Sequence, residues 1–222
     1  MNQVDYNITQ GQQAVADTNR VLRNTYWLLS MTLLCSAVFA GISMMIDPPQ
    51  GAALVLLLVG FGLLFWVHKA ADSANGIIAI FAFTACMGAA LGPMLNAYLA
   101  FAGGPSLIFQ ALGGTALVFL GLSGYVLTTK KDFSFMRGFL ATGLIVMLVG
   151  VVVAIFTNMP AFELALSGGI VLLMSGLILF DTSRIIHGGE TNYILATVGL
   201  YLSIYNLFTS LLHLLGAFGG DE

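Results

Sequence analysis

The chain has 222 residues, of which 59% are apolar and only 8% are charged. A soluble domain carries about 25% charged residues, so this composition excludes an ordinary water-soluble fold and makes the lipid bilayer the expected solvent. The net charge of −3 is small and scattered along the chain, which excludes a nucleic-acid partner that needs a strongly basic surface.

Long apolar segments follow one another along the chain, separated by short breaks. A bilayer-spanning helix needs about 20 mainly apolar residues, and the stretches without Asp, Glu, Lys or Arg include 24–46, 73–129, 138–162 and 191–220. Proline and glycine clusters such as Asp47-Pro48-Pro49 mark the breaks. In chain order the sequence predicts seven spanning helices, at about 25–46, 51–68, 75–98, 106–128, 137–157, 161–186 and 193–217.

The predicted fold class is therefore all-α, a polytopic membrane protein whose seven helices form one compact bundle with short loops. Residues 1–20 are polar and contain Arg20 as their only basic residue, so they lack the order of a secretory signal. We interpret them as a flexible cytoplasmic tail that precedes a transmembrane domain of residues 21–222.

Glycines are frequent, and small residues allow helices to approach closely in lipid. Gly88 and Gly92 form a GxxxG pattern on the third helix. Other glycines follow the fourth helix: Gly113, Gly114, Gly121 and Gly124. We interpret both groups as positions of close helix packing.

Basic residues predict the orientation, because cytoplasmic loops are enriched in Lys and Arg. With seven spans, all seven fall on one side: Arg20, Arg23, Lys69, Lys130, Lys131, Arg137 and Arg184. The opposite side holds acidic residues and no basic one: Asp47, Glu163, Asp221 and Glu222. We therefore expect a cytoplasmic N-terminus and a C-terminus on the other side.

One ionisable residue lies inside a predicted span. Asp181 ends the apolar run from Leu164 to Phe180, about one turn inside the membrane, and Arg184 follows at i+3 on the same helix face. Burial disfavours a charged carboxylate and a neighbouring guanidinium favours it. Two interpretations stay open, a structural ion pair at the membrane edge and a titratable gate.

The seventh helix carries a polar face on an otherwise apolar surface. Its members recur at spacings of four and three residues: Gly199, Ser203, Asn206, Ser210 and His213. Such a face must meet protein or water rather than lipid, which predicts a well-buried helix. The face serves either interhelical hydrogen bonding or the wall of an ion path. Counting residues from the turn at Gly188-Gly189, we expect Asp181 and Ser203 at similar depth.

An enzymatic alternative rests on Gly121-Leu122-Ser123-Gly124, which matches the GxSG of rhomboid intramembrane proteases. His213 or His187 would have to act as the base. Four residues in a helix rich in glycine and serine carry little weight, and we interpret Ser123 as a packing residue. His187 and Glu190 could suggest a metal, but two ligands in a glycine turn do not make a site.

Several segments together resemble the Bax inhibitor-1 (TMBIM) family, and more closely its bacterial YccA branch. The most specific are residues 180–193 (FDTSRIIHGGETNY) and 201–208 (YLSIYNLF). Others are 21–26 (VLRNTY), 92–96 (GPMLN), 113–119 (GGTALVF) and 128–135 (TTKKDFSF). The resemblance covers nearly the whole chain after residue 20 and implies a seven-helix bundle with the last helix at its centre.

The resemblance also implies two activities. Members similar to YccA bind and restrain the membrane AAA protease FtsH in the bacterial inner membrane, and other members are pH-sensitive calcium leak pathways. The leak uses two aspartates that share a proton, with a basic residue of helix two nearby. Asp181 matches the first aspartate, Ser203 stands where the second would lie, and His68 occupies the helix-two position, so the pair of carboxylates is incomplete here.

We therefore expect a multi-pass inner-membrane regulatory protein that modulates FtsH, not an enzyme, with no cofactor and a periplasmic C-terminus. The alternative is a pH-sensitive calcium or cation leak channel through Asp181 and the polar face of helix seven, with calcium as the transported ion. The residues expected to form such a path or to sense pH are Asp181, Ser203, Asn206, Arg184, His68, Ser210 and His213.

Overall fold

The computed structural model describes residues 3–101, 103–157 and 159–219. Seven long α-helices make up almost all of this part of the chain, together with one 3-10 turn at Ser134–Met136, and it contains no strand. The helices are α1 (Gln3–Ile46), α2 (Gln50–Ala70), α3 (Asn75–Leu99), α4 (Gly104–Thr129), α5 (Arg137–Thr157), α6 (Pro160–Ile186) and α7 (Tyr193–Gly219).

The helix ends follow the breakers of the sequence. Pro105 and Pro160 lie in the first turns of α4 and α6, where the missing backbone N–H needs no partner. Gly103 precedes α4 with a φ of 76° that glycine adopts without strain. All seven predicted helices are confirmed, but the predicted start of the first at residue 25 is wrong, because α1 begins at Gln3. The division at residue 20 into a tail and a transmembrane domain stays a prediction, and α1 runs across it.

All seven helices are long and apolar enough to cross a membrane. Successive spanning helices alternate in direction, so every Lys and Arg of the chain lies at one end of the bundle. We call this the basic end; it contains the α2–α3, α4–α5 and α6–α7 connections. Asp47 and Glu163 lie at the opposite end, while Asp221 and Glu222 lie outside the described residues. The compartment that each end faces stays a prediction.

The glycines of α3 bring it close to α1, and this packing was predicted correctly. A Cβ atom on Gly88 would overlap the backbone of Ser36, and one on Gly92 would overlap the side chain of Ser43. The Ser43 hydroxyl donates a hydrogen bond to the Ala89 carbonyl over 2.7 Å, an interhelical contact that the small α3 surface permits.

The prediction of close packing is wrong for most glycines of α4. A Cβ atom on Gly113, Gly121 or Gly124 would have no neighbouring atom within 4 Å. Gly114 alone of that group meets another helix, at an ordinary van der Waals distance of 3.5 Å from Leu211 of α7. Glycine content alone therefore does not identify the packed face of α4.

The last helix is well buried, as its polar face predicted. Of the apolar stretch of α7, 61% is buried, the highest share of the seven helices. It packs against α1, α2, α3, α4 and α6. Tyr201 is 1% exposed and forms a 2.7 Å hydrogen bond with Ser36 of α1. The central position of α7 stays a prediction, and this packing supports it.

Candidate functional site

Two contacts between α6 and α7 fix how these helices lie against each other. The Asp181 carboxylate lies against Gly199, where a Cβ atom would be 3.0 Å from Oδ2. Ser167 Oγ forms a 2.8 Å hydrogen bond with His213 Nδ1. From the first contact to the second, the residue number on α6 falls by 14 (181 to 167) and the residue number on α7 rises by 14 (199 to 213). The helices therefore run antiparallel in a constant register.

This register places Ser203 deeper than Asp181. Gly199 is level with Asp181, and Ser203 follows four residues later, about 6 Å further from the basic end at about 1.5 Å per residue. Ser203 is 2% exposed. The contact partner of Asp181 on α7 is thus Gly199, a member of the predicted polar face that was not among the predicted site residues.

A cavity of about 270 Å³ opens between α2, α6 and α7 at the basic end. Its charged or titratable lining residues are His68, Asp181, Arg184 and Glu190, and apolar residues of α7 such as Leu195 and Leu202 line the remaining wall. The cavity therefore brings together three of the residues predicted from the sequence, Asp181, Arg184 and His68. It adds Glu190, which the sequence suggested only as a possible metal ligand.

The ion pair at this cavity joins Arg184 to Glu190, and it is the sole ion pair among the described side chains. Glu190 Oε1 also accepts a 3.0 Å hydrogen bond from the Asn192 N–H. Gly188 has a φ of 72°, which lets the chain reverse direction. Glu190, six positions after Arg184, therefore reaches the Arg184 guanidinium. The i+3 spacing suggested Asp181 as the partner of Arg184. The glycine turn at Gly188-Gly189 is the sequence feature that could have predicted Glu190 as the partner instead.

Asn192 ties the α6–α7 turn to the α2–α3 turn. Its Oδ1 accepts hydrogen bonds from the backbone N–H groups of Ile194 (2.9 Å) and Leu195 (3.2 Å) and so caps the N-terminus of α7. Its Nδ2 donates to the Ala71 carbonyl (3.0 Å) and to Asp72 Oδ1 (2.8 Å). One side chain thus holds together the two connections that flank the cavity.

The α4–α5 loop is held against α6 in the same region. Ser183 Oγ accepts a 3.0 Å hydrogen bond from the Phe133 N–H and contacts the Lys131 carbonyl at 3.3 Å. Within the loop, Asp132 Oδ1 accepts a 2.8 Å hydrogen bond from the Ser134 N–H. This hydrogen bond is the main cause of a lowered pKa of Asp132, with further contributions from the Ser134 hydroxyl and His187.

The remaining predicted site residues lie deeper along α7, away from the cavity. Asn206 Nδ2 donates to the Leu202 carbonyl of its own helix over 2.8 Å. Ser210 is buried, and His213 is bound to Ser167 of α6. Two of the polar positions, Gly199 and His213, thus contact α6, while the role of Ser203, Asn206 and Ser210 in an ion path stays a prediction.

Among the described hydrogen bonds, neither His213 nor His187 is paired with Ser123, as the protease alternative would require. Ser123 Oγ contacts Thr182 Oγ1 at 3.3 Å, and both residues are buried. His213 binds Ser167, and His187 Nδ1 lies 2.8 Å from the Ser183 carbonyl oxygen. Within the described chain no cluster of three His, Cys, Asp or Glu residues could hold a metal ion.

The fold and the cavity together define an integral membrane protein of seven spanning helices, with a charged cavity enclosed by helices two, six and seven. The family model described as "Inhibitor of apoptosis-promoting Bax1" matches residues 18–220. The chain therefore belongs to the Bax inhibitor-1 family, as its motifs predicted.

Three relatives show how similar the chain is to known bacterial proteins. It is 54% identical to "Modulator of FtsH protease YccA" of Escherichia coli K12, over 91% of this chain and 92% of that protein. "Inner membrane protein YccA" of E. coli O6:H1 CFT073 gives the same identity and coverage. An uncharacterized membrane protein of Vibrio cholerae serotype O1 is 51% identical over the full length of both chains.

Proposed function

We propose that this protein is a regulatory protein of the bacterial inner membrane that modulates an FtsH-type protease and has no catalytic activity of its own. The observation that carries the proposal is the 54% identity, over 91% of the chain, to a protein named as a modulator of FtsH protease. A second relative of equal identity is named as an inner membrane protein.

The proposed orientation places the basic end and the N-terminus in the cytoplasm and the C-terminus in the periplasm. The bias of Lys and Arg toward one end supports it. In this orientation α1 enters the cytoplasm through its N-terminal part, because its 44 residues are about twice the number that a bilayer requires. We propose that the protease binds this cytoplasmic segment of α1.

The basic end offers a firm surface for such a partner. Asn192 joins the α6–α7 and α2–α3 turns, Ser183 holds the α4–α5 loop, and the Arg184–Glu190 ion pair closes the α6–α7 turn. A surface whose connections are bonded to one another loses little conformational entropy when a partner docks. Docking at the basic end is therefore the arrangement that we propose.

The experiment is co-purification of FtsH with the affinity-tagged protein from membranes, combined with the turnover of membrane substrates of FtsH during overexpression. We expect FtsH to co-purify and substrate turnover to slow. A variant that lacks residues 2–15 keeps every spanning helix and should lose both effects. Normal turnover with confirmed overexpression of the full chain would contradict the proposal, and fusion reporters at both termini test the orientation separately.

A second candidate function is a pH-sensitive calcium or cation leak, favoured by the position of Asp181. Its carboxylate lines the cavity at the basic end and lies level with Gly199 of α7. Ser203, the first of the deeper polar residues of α7, follows one helical turn later. The test is dye-reported calcium flux in liposomes that contain the purified protein. Flux that depends on pH and is lost in Asp181→Asn supports the leak, with Glu163→Gln as a matched control at the other end of α6. Absence of flux at every pH removes this candidate.

A further inference from the structure

A second cavity at the basic end lies apart from the predicted site residues. It measures about 580 Å³ and is an open cavity between the N-terminal part of α1 and the α6–α7 turn. This volume falls in the range of about 300–1,000 Å³ that small-molecule sites occupy. Its main polar lining residues are Asp17, Arg20, Asn24, Glu190, Thr191 and Tyr193.

The charges of this lining are balanced rather than of one sign. Asp17 and Arg20 are three residues apart on α1, so they lie on the same helix face. Glu190 already forms the ion pair with Arg184, which neutralises its charge. The cavity therefore presents one positive and one negative group to a ligand. A purely anionic ligand would be repelled by Asp17 and a purely cationic one by Arg20, whereas a zwitterion finds a partner for each charge.

The cavity also lies at the depth of lipid headgroups. Asp47 marks the end of α1 at the opposite membrane face; Asn24 lies 23 residues before it and Asp17 lies 30. At about 1.5 Å per residue these separations are about 35 and about 45 Å. The hydrocarbon core is about 30 Å thick and the bilayer with headgroups about 40–45 Å. Tyr193 is of the residue type that is enriched at this interface.

We propose that this cavity binds a phosphoethanolamine zwitterion as the headgroup of a membrane phospholipid. Arg20 donates hydrogen bonds to the phosphate, in the charge-assisted pairing that guanidinium groups favour. Asp17 accepts hydrogen bonds from the ammonium group, and the Thr191 hydroxyl and the Asn24 amide add neutral hydrogen bonds. The acyl chains extend along the lipid-facing surface of α1.

The chemistry predicts an order of lipids. A phosphatidylglycerol headgroup has no ammonium and leaves Asp17 beside an anion. A phosphatidylcholine headgroup keeps the positive charge, but its trimethylammonium has no N–H to donate to Asp17. Phosphatidylethanolamine satisfies both Arg20 and Asp17 and should bind best. Glycerophosphoethanolamine keeps the phosphodiester and the ammonium group, and so the same charges, without the acyl chains, so it distinguishes a lipid site from a site for a soluble molecule.

The experiment is native mass spectrometry of the delipidated full-length protein in detergent, titrated with the three lipids carrying identical acyl chains. We expect phosphatidylethanolamine to bind about tenfold more tightly than either of the others, the effect of one charge-assisted hydrogen bond. Arg20→Gln should weaken its binding by about tenfold, and Asp17→Asn should remove the preference over phosphatidylcholine. Arg23→Gln is the matched control, since it removes the same charge from the same helix outside the cavity lining.

Three results would overturn the proposal. The first is equal binding of phosphatidylglycerol and phosphatidylethanolamine to the unchanged protein, a comparison that needs no variant to fold. The second is a loss in Arg20→Gln no larger than that in Arg23→Gln, with size-exclusion profiles confirming that both variants are folded. The third is displacement of the lipid by glycerophosphoethanolamine at equal concentration, which would assign the cavity to a soluble zwitterion.

Discussion

The Asp181 carboxylate of α6 lies against the backbone of Gly199 on α7, so close that a Cβ atom at position 199 would be 3.0 Å from Oδ2. Ordinary contacts between non-bonded heavy atoms lie at about 3.5–4.0 Å. The absence of a side chain at Gly199 therefore lets Asp181 approach α7, and the same approach sets the depth at which the carboxylate meets the cavity.

The variant Gly199→Ala should displace the Asp181 carboxylate from α7 toward the cavity, because the added methyl group occupies the space against Oδ2. A more accessible carboxylate reacts faster with a water-soluble carbodiimide. The measurement is the rate of carbodiimide modification of Asp181, followed by peptide mass spectrometry. Gly62→Ala is the control, because a Cβ atom there meets nothing within 4 Å. An unchanged rate in Gly199→Ala would contradict this account of the contact.

The contact between α1 and α3 predicts a stability difference between two glycines. In Gly88→Ala the new methyl group meets the Ser36 backbone, which cannot rotate away. We expect the free energy of unfolding to fall by about 1–3 kcal/mol, as in other overpacked cores. In Gly121→Ala the new methyl group meets no atom within 4 Å. The free energy of unfolding of this variant should therefore be unchanged or raised by up to about 1 kcal/mol, because alanine has the higher helix propensity. Unfolding by sodium dodecyl sulfate in mixed micelles measures both, and equal effects would refute the packing.

The helices could be predicted from the sequence because the physical signal is long and redundant. Each span needs about 20 apolar residues, and prolines or glycines fall between the spans. The start of α1 could not be predicted in this way, since residues 1–20 are mainly polar and the hydrophobic signal ends while the helix continues to Gln3. The predicted close packing at the glycines of α4 was wrong for a related reason. The spacing of small residues on one helix does not show whether that face meets a neighbouring helix.

The candidate site could be predicted only in part. Asp181 was visible as a carboxylate at the end of an apolar run, and the polar face of α7 was visible from its helical spacing. The partner of Arg184 was missed because the chain reverses at Gly188, which brings Glu190 close although an i+6 pair would lie apart on a helix. The alignment of Asp181 with Gly199 depends on the register of two helices, which a residue count across a turn gives only to about one helical turn.

The Arg184–Glu190 ion pair predicts a modest and salt-dependent coupling. The Arg184 side chain is 41% exposed and that of Glu190 is 13% exposed, so solvent screens the attraction. A double-mutant cycle of Arg184→Gln and Glu190→Gln should give a coupling free energy of about 0.5–1 kcal/mol at low salt and less at high ionic strength. The measurement is unfolding in mixed micelles at two salt concentrations. A coupling near zero at low salt would show that the pair contributes nothing to the turn.

Asn192 predicts a larger effect, because one side chain caps α7 and binds the α2–α3 turn. Asn192→Ala should lower the free energy of unfolding by about 1–2 kcal/mol through the lost cap. It should also speed hydrogen exchange at residues 71–74, which lose the bonds from Nδ2 to Ala71 and Asp72. Thr191→Ala is the matched neighbour and should leave exchange there unchanged. Exchange that rises in both variants alike would assign the effect to the turn in general.

The α4–α5 loop predicts a pH dependence whose sign follows from Asp132. The Ser134 N–H, the Ser134 hydroxyl and His187 lower the pKa of this exposed carboxyl. Because its pKa is lower in the folded protein than the ordinary value of about 3.9, the ionised carboxylate stabilises the loop above that value, and the contribution is lost as the pH falls through the folded pKa. In Ser134→Ala the backbone donor remains and the hydroxyl is lost. The carboxyl carbon resonance of Asp132 should then titrate at a pH above that of the unchanged protein but still below the ordinary value. A titration midpoint that does not move in Ser134→Ala would exclude the hydroxyl as a cause, and one at the ordinary value in the unchanged protein would exclude the hydrogen bonds altogether.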